Sequence, residues 1–437
     1  MKSQPSNVRS LTAAWLVITA LTAFPAADEL RVATPASVGM SAERLARIDA
    51  AMEKEIEAGR KAGIVVLIAR KGQIVHHKAY GMADVASGRK MQTDSMVRLY
   101  SMTKPVTSVA LLTLYEQGKF QLTDPLEKHI PAFAKLKVMV GTRPDGSLRL
   151  EDPKRKPTIQ DVFRHTAGFS YGFGKGPIDD LYREAGLNFG KMTSLKEMID
   201  KLATVPLLYH PGEQWVYSVA HDVQAYLVEY FSGKPFDQYV RETILTPLKL
   251  TDMVFGVPKT HLARYTAMYE PKKGGGLEVR ENADGSSIKG SESTSGEGYL
   301  RYTTIPFGGL GLSGTAMAYA SFAQMLLNRG ELDGVRILSR KTVELMTMNH
   351  LPPSIPSIGT AGDNGVGYGL GVSVVVDPAR EGVVDSVGQF GWSGAASTKV
   401  FIDPKESMVI VVLSQYFPFD ASFLTQAQSL AYQAIVD

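Results

Sequence analysis

Three residues of this chain could assemble a nucleophile. Ser101-Met102-Thr103-Lys104 sets a hydroxyl and an amine at i and i+3, a spacing that brings two side chains onto one face of a helix. A lysine amine kept neutral by desolvation and neighbouring cations can take the serine proton. The same spacing occurs at Ser87-Gly88-Arg89-Lys90 and at Ser286-Ser287-Ile288-Lys289. Those two stretches read as a turn and a polar Gly/Ser run, and neither backbone would hold the amine against the hydroxyl. Only Ser101 leads into an apolar run, Val106, Val109, Ala110, Leu111, Leu112, Leu114 and Tyr115, suited to a buried helix. Pro105 falls in its first turn, where a missing N–H costs nothing. A capping serine followed by a surface lysine is the competing reading of these four residues.

The third residue is Tyr217, in Pro211-Gly212-Glu213-Gln214-Trp215-Val216-Tyr217-Ser218, just ahead of a helix expected from Val219. A tyrosine there can pass a proton if a cation such as Lys104 favours its phenolate; a core tyrosine with one hydrogen bond is the alternative. Gln389-Phe390-Gly391-Trp392-Ser393-Gly394-Ala395-Ala396 reads as a glycine-spaced strand entry, which marks either a close backbone approach or a simple bulge. A rival nucleophile lies at Gly168-Phe169-Ser170-Tyr171-Gly172, which fits G-x-S-x-G. That motif needs a strand before the serine and a helix after it. Here the preceding Ile159 to His165 reads as helical or irregular, and Phe173-Gly174-Lys175-Gly176-Pro177 breaks any helix that follows.

The histidines offer less. His76 and His77 are adjacent on a strand and face opposite ways, so they cannot readily share a metal. His165 is expected to pack in its turn, and His221 either tunes the site or serves as a surface or capping residue. No H-E-x-x-H or comparable cluster occurs. No metal and no cofactor are expected.

The elements that must position these residues suggest an α+β fold. Ser41 caps a helical pattern through Leu45, Ile48, Met52 and Ile56. Strand-like runs at 63–69 and 73–80 flank Arg70-Lys71-Gly72, a hairpin signal. Runs at 369–376, 397–402 and 408–413 mirror them near the C-terminus, and an Ala/Leu/Gln-rich helix spans 421–436. One antiparallel sheet flanked by N- and C-terminal helices, with a large inserted mostly α-helical domain, accounts for this order. The expected division is a discontinuous α/β domain at 28–121 and 306–437 and a helical insert at 122–305, with a mobile loop at 272–298.

Composition narrows the chemistry. The chain has 437 residues, a net charge of +3 and no long basic run with interleaved aromatics, so nucleic acid is not an expected partner. The absence of cysteine excludes disulfides, thiolate metal sites and cysteine nucleophiles. Lys2 and Arg9 precede an apolar run from Leu11 to Phe24, which reads as a signal peptide within residues 1–27 of an exported, periplasmic or secreted protein, with an uncleaved anchor or a disordered leader on a cytoplasmic protein as the alternatives. The run is too short for a comfortable membrane span, and no stable membrane insertion is expected.

In this order and at these separations, the three segments resemble the serine β-lactamase and penicillin-binding-protein superfamily, with its S-x-x-K, Tyr and third strand motifs. Within it the likeness is closest to the family VIII carboxylesterases, relatives of the class C β-lactamases. It runs from about Val38 to the C-terminus and takes in Phe163-Arg164-His165-Thr166-Ala167-Gly168, Pro306-Phe307-Gly308-Gly309-Leu310-Gly311-Leu312 and Tyr368-Gly369-Leu370-Gly371. The resemblance implies that Ser101 attacks an ester carbonyl while Lys104 and Tyr217 share the proton transfers. It also implies an oxyanion hole from the backbone N–H groups of Ser101 and Ala395. Where the β-lactamase relative has Lys-Thr-Gly, this chain has Trp392-Ser393-Gly394, expected to contact substrate; Tyr217-Ser218-Val219 lacks the relative's asparagine. Both departures point to neutral short- to medium-chain esters, with weak β-lactamase side activity as a corollary. A β-lactamase, a D-Ala-D-Ala peptidase-like hydrolase and an acyltransferase of the same fold are the alternatives.

Overall fold

The elements follow from where apolar residues recur along the chain. In the computed structural model, which describes residues 30–187, 192–256, 258–286, 299, 304–359 and 364–437, those used below run in chain order. They are α1 (Ala42–Glu57), β1 (Gly63–Arg70), β2 (Gln73–Asp84), α2 (Thr103–Glu116), α3 (Ile159–Phe163), α4 (Ala220–Ser232), β3 (Met268–Pro271), β4 (Leu277–Glu281), α5 (Ala316–Leu327), β5 (Val366–Tyr368), β6 (Ser373–Val375), β7 (Phe390–Gly394), β8 (Thr398–Asp403), β9 (Met408–Ser414) and α6 (Ser422–Gln433).

The main sheet runs β2-β1-β9-β8-β7-β6-β5, so strands from the two ends of the chain meet at β1 and β9. These pairs are antiparallel, with Val66 opposite Val412 and Trp392 opposite Val400. A short strand, Arg31–Val32, adds to β2 in parallel. The fold is therefore α+β with an antiparallel-dominated sheet, as expected from the sequence.

Alternation along β1 assigns its two faces. Ile64, Val66 and Ile68 pack with Leu45, Ile48 and Met52 of α1 and with Phe423, Leu424 and Ala427 of α6. Val65, Leu67 and Ala69 join the larger core that contains α2 and α5. Every residue of β1 is buried, which is why the strand reads as an unbroken apolar run rather than an alternating one. The Ser41 hydroxyl accepts from the Arg44 N–H at 3.3 Å and starts α1 where the sequence suggests. Truncating a fully buried residue such as Ile48 to alanine costs about 2–5 kcal/mol.

Helix α2 is buried from Thr103 through Leu114. Its polar residues are satisfied within the core: Thr107 Oγ1 donates to the Gly308 carbonyl at 2.7 Å, and Ser108 Oγ to Gln224 Oε1 at 2.9 Å.

The stretch expected as a mobile loop at 272–298 is partly regular. β3 and β4 form an antiparallel hairpin, and Glu281 at its end lies 2.6 Å from the fully buried Arg98. A low apolar content suggested a loop; one buried ion pair fixes the strand instead. Residues 287–298 lie outside the described residues, as does the leader at 1–27. Among the described residues no helix is long and apolar enough to cross a membrane.

Candidate active site

Ser101 does not open α2. It sits in a separate 3₁₀ turn, Tyr100–Met102, and the preceding Tyr100 takes a left-handed φ of 46°. A non-glycine residue rarely adopts that conformation. Tyr100 is held there by the Tyr299 hydroxyl, which its N–H reaches at 3.2 Å, and by an edge-to-face ring contact with Tyr299 at 5.1 Å. The turn and the first turn of α2 together stack residues three apart. Lys104 Nζ consequently reaches Ser101 Oγ at 3.2 Å.

Tyr217 arrives from the segment before α4 and donates to the same Ser101 Oγ at 2.7 Å. Lys104 is fully buried, while Ser101 and Tyr217 are each partly exposed, so the cluster lies at the boundary between core and surface. Lys104 Nζ lies 4.7 Å from the Tyr217 ring centroid and 5.3 Å from that of Tyr171.

β7 forms the opposite wall. The Trp392 indole N–H points at Tyr217 Oη at 3.4 Å, and the rings lie 5.6 Å apart. Ser393 is half-buried beside Trp392. A Cβ on Gly394 would lie 2.1 Å from the Leu99 carbonyl oxygen, so at Gly394 the strand backbone presses against the turn that carries Ser101. Ala395 follows directly and is partly exposed. Trp392 and Trp215, both partly exposed, pack against the buried Tyr368, in one apolar cluster with Leu351, Ile355 and Ile358.

The lysine has an anchor that the sequence did not disclose. Lys104 Nζ donates to the Gly309 carbonyl at 2.6 Å, and the Gly309 N–H donates to the buried Asp222 carboxylate at 2.6 Å. Gly308 leaves no room for a side chain, since a Cβ would lie 2.1 Å from the His221 carbonyl oxygen, and a Cβ at Gly309 would crowd Tyr171 Oη at 2.6 Å. The Gly308-Gly309 pair was the available signal, although a backbone carbonyl acting as a ligand leaves no side-chain pattern to find.

Both site-proximal histidines lie beneath this cluster. His165 and His221 are fully buried, with ring centroids 4.8 Å apart. The surface or capping place considered for His221 is not where it sits, because α4 turns that side into the core. Burial, then the Lys104 charge, holds His165 well below the ordinary 6.5. Burial, His165 and Lys104 do the same to His221. Both rings are therefore neutral near pH 7.

Ser170 is occupied elsewhere. Its hydroxyl donates to Asp179 at 2.6 Å and accepts from the Gly172 N–H at 3.0 Å, and the element before it is α3, not a strand. The strand-turn-helix that an elbow requires is not built there.

The chain is similar to known proteins over most of its length. The model of the Beta-lactamase family matches residues 48–434. Protein Rv1367c of Mycobacterium tuberculosis is 31% identical over 377 residues, covering 84% of this chain and 89% of that protein. Esterase EstB of Burkholderia gladioli is 27% identical over 405 residues, covering 87% and 93%. Among solved structures, EstCE1, described as a hydrolase with promiscuous acyltransferase activity, superposes with a TM-score of 0.73 at 25% identity over 89% of this chain and 99% of its own. The match spans both ends of the sheet as well as the serine, lysine and tyrosine segments, and the chain belongs to the beta-lactamase family.

Proposed function

We propose that this protein is a serine carboxylesterase that hydrolyses short- to medium-chain carboxylic esters through an acyl-serine intermediate. The observation that carries the reading is the convergence of Lys104 Nζ at 3.2 Å and Tyr217 Oη at 2.7 Å on the oxygen of one partly exposed serine. Whichever partner is deprotonated takes the Ser101 proton as Oγ bonds to the carbonyl carbon; the proton then passes to the departing alkoxide. Water repeats the sequence on the acyl-serine and releases the acid. The backbone N–H groups of Ser101 and Ala395 would receive the charge that develops on the carbonyl oxygen.

Ester preference rests on the wall of the cleft. Trp392 stands where a cation would grip an anionic substrate, and it and Trp215, both partly exposed, pack on the buried Tyr368 ring. Such a lining favours neutral acyl groups over carboxylates. The name of Esterase EstB supports esters, and the description of EstCE1 as a hydrolase with promiscuous acyltransferase activity supports acyl transfer as a second outcome for the same acyl-serine. An ester panel varied separately on the acid and alcohol sides, run beside a chromogenic cephalosporin and with an added acceptor alcohol, tests the reading. Hydrolysis of an aryl butyrate is expected to exceed that of any β-lactam. Faster opening of a penicillin would refute the ester assignment, and a transfer product outweighing free acid would move the protein to the acyltransferases.

A further inference from the structure

We infer that His165 is a positioning residue for Tyr217, holding the backbone on both sides of it through two acceptors on one residue. Its carbonyl accepts the Val216 N–H at 3.1 Å, and its imidazole Nδ1 accepts the Ser218 N–H at 3.2 Å. The flanking residues of Tyr217 are thus tied to a segment more than 50 positions away in sequence. The imidazole also packs against the Tyr217 ring, 5.0 Å between centroids. This inference rests on the role proposed above for Tyr217.

Several features make the position specific for histidine. His165 has a left-handed φ of 58°, a conformation in which Asn, Asp and His are enriched among non-glycine residues. It needs an acceptor at the reach of Nδ1, and Nδ1 must carry a lone pair because the Ser218 N–H can only donate. A neutral ring protonated at Nε2 satisfies this, with the Ser218 hydroxyl 3.1 Å away facing the same Nδ1, and full burial beside the Lys104 charge keeps the ring neutral. The turn is braced in its own right. The Thr166 N–H donates to the Asp161 carbonyl at 2.9 Å, Thr166 Oγ1 to the Asp161 carboxylate at 2.8 Å, and the Gly212 N–H to the Thr166 carbonyl at 2.8 Å. Releasing Nδ1 frees residue 218 and lets the tyrosine oxygen drift from Ser101 Oγ. A misplacement near 1 Å costs about 10²-fold in the chemical step.

Comparing His165→Ala with His165→Asn tests the inference, since both lose the ring but only Asn keeps an acceptor near Nδ1 and tolerates the left-handed backbone. His165→Phe, which keeps the ring and lacks the acceptor, stands in if the alanine variant fails to fold. Turnover of an activated aryl ester is read for each with a thermal melt, beside Ser101→Ala, Tyr217→Phe and the His165→Ala/Tyr217→Phe double variant. The expected result is a kcat loss of about 10²-fold in the alanine or phenylalanine variant with KM little changed, and recovery of at least about tenfold by asparagine. The double variant should be no slower than Tyr217→Phe alone. Equal losses in the alanine and asparagine variants, additive losses in the double, or wild-type kcat without the acceptor while Ser101→Ala is inactive would each overturn the inference. Turnover surviving in Ser101→Ala would instead overturn the esterase reading itself.

Discussion

Replacing Gly394 by alanine should disable the enzyme without unfolding it. An added Cβ would meet the Leu99 carbonyl oxygen at 2.1 Å and Thr398 Oγ1 at 2.4 Å, whereas ordinary contact begins at 3.4 Å. The Thr398 hydroxyl can rotate away; the Leu99 carbonyl is main chain, two residues before Ser101, and cannot. β7 and the serine turn must therefore separate by about 1.3 Å along that line, the difference between 3.4 and 2.1 Å. Such a displacement carries the Ala395 N–H away from any oxygen held over Ser101. Misplacement on this scale, or loss of one oxyanion donor, lowers kcat by about 10²–10³-fold, or roughly 2.7–4 kcal/mol of barrier. Stopped-time hydrolysis of an aryl butyrate, paired with circular dichroism and a thermal melt, measures both sides of the claim. A folded Gly394→Ala protein with kcat within about threefold of wild type would refute the proposed closeness of β7 to the reacting carbonyl.

Three further outcomes follow from the same geometry. Gly309→Ala would place its Cβ 2.6 Å from Tyr171 Oη and 3.0 Å from Asp222; shifting the carbonyl that anchors Lys104 should cut kcat by about tenfold or more, and unchanged kcat would remove that anchor from the account. Burial raises the Asp161 carboxyl, but the Arg155 hydrogen bond, the Thr158 N–H and the Arg155 and Arg164 charges outweigh it and bring it down to about 2 from 3.8. Its folded value is the depressed one, so its contribution of about 2 kcal/mol is present above pH 4 and fades between pH 4 and 2. Urea unfolding of Asp161→Asn at pH 7 and pH 3 should show a gap that narrows at the acid end, and a constant gap contradicts the assignment. Asp385 is pushed up to about 8, by burial first and then by Glu381. Here the folded protein binds the proton more tightly, so stability falls as pH rises from about 4 to 8. Asp385→Asn should melt above the wild type at pH 8.5 and close to it at pH 4; a lower melt at pH 8.5 refutes this.

Much of the fold was legible because its signals are local. The Ser41 cap, the α1 periodicity and the strand runs at both chain ends each rest on a few consecutive residues. The context that set Ser101 apart from the serines at 87 and 286 was likewise local, an apolar helix buried on all sides. What the sequence hid depends on distant partners. The left-handed Tyr100 needs Tyr299 to hold it, and the β3–β4 hairpin needs Arg98 beneath Glu281. Lys104 is anchored by the main chain of Gly309, and His221 is buried by the packing of α4 rather than by its neighbours in sequence.

The most direct measurement is to map the covalent acyl adduct formed when the protein is mixed with an activated ester and quenched within one turnover. Peptide mass spectrometry of the wild-type protein should place a single acyl group on the peptide containing Ser101, and Ser101→Ala should carry none. Acylation at Ser170, or undiminished turnover by Ser101→Ala, would contradict the account.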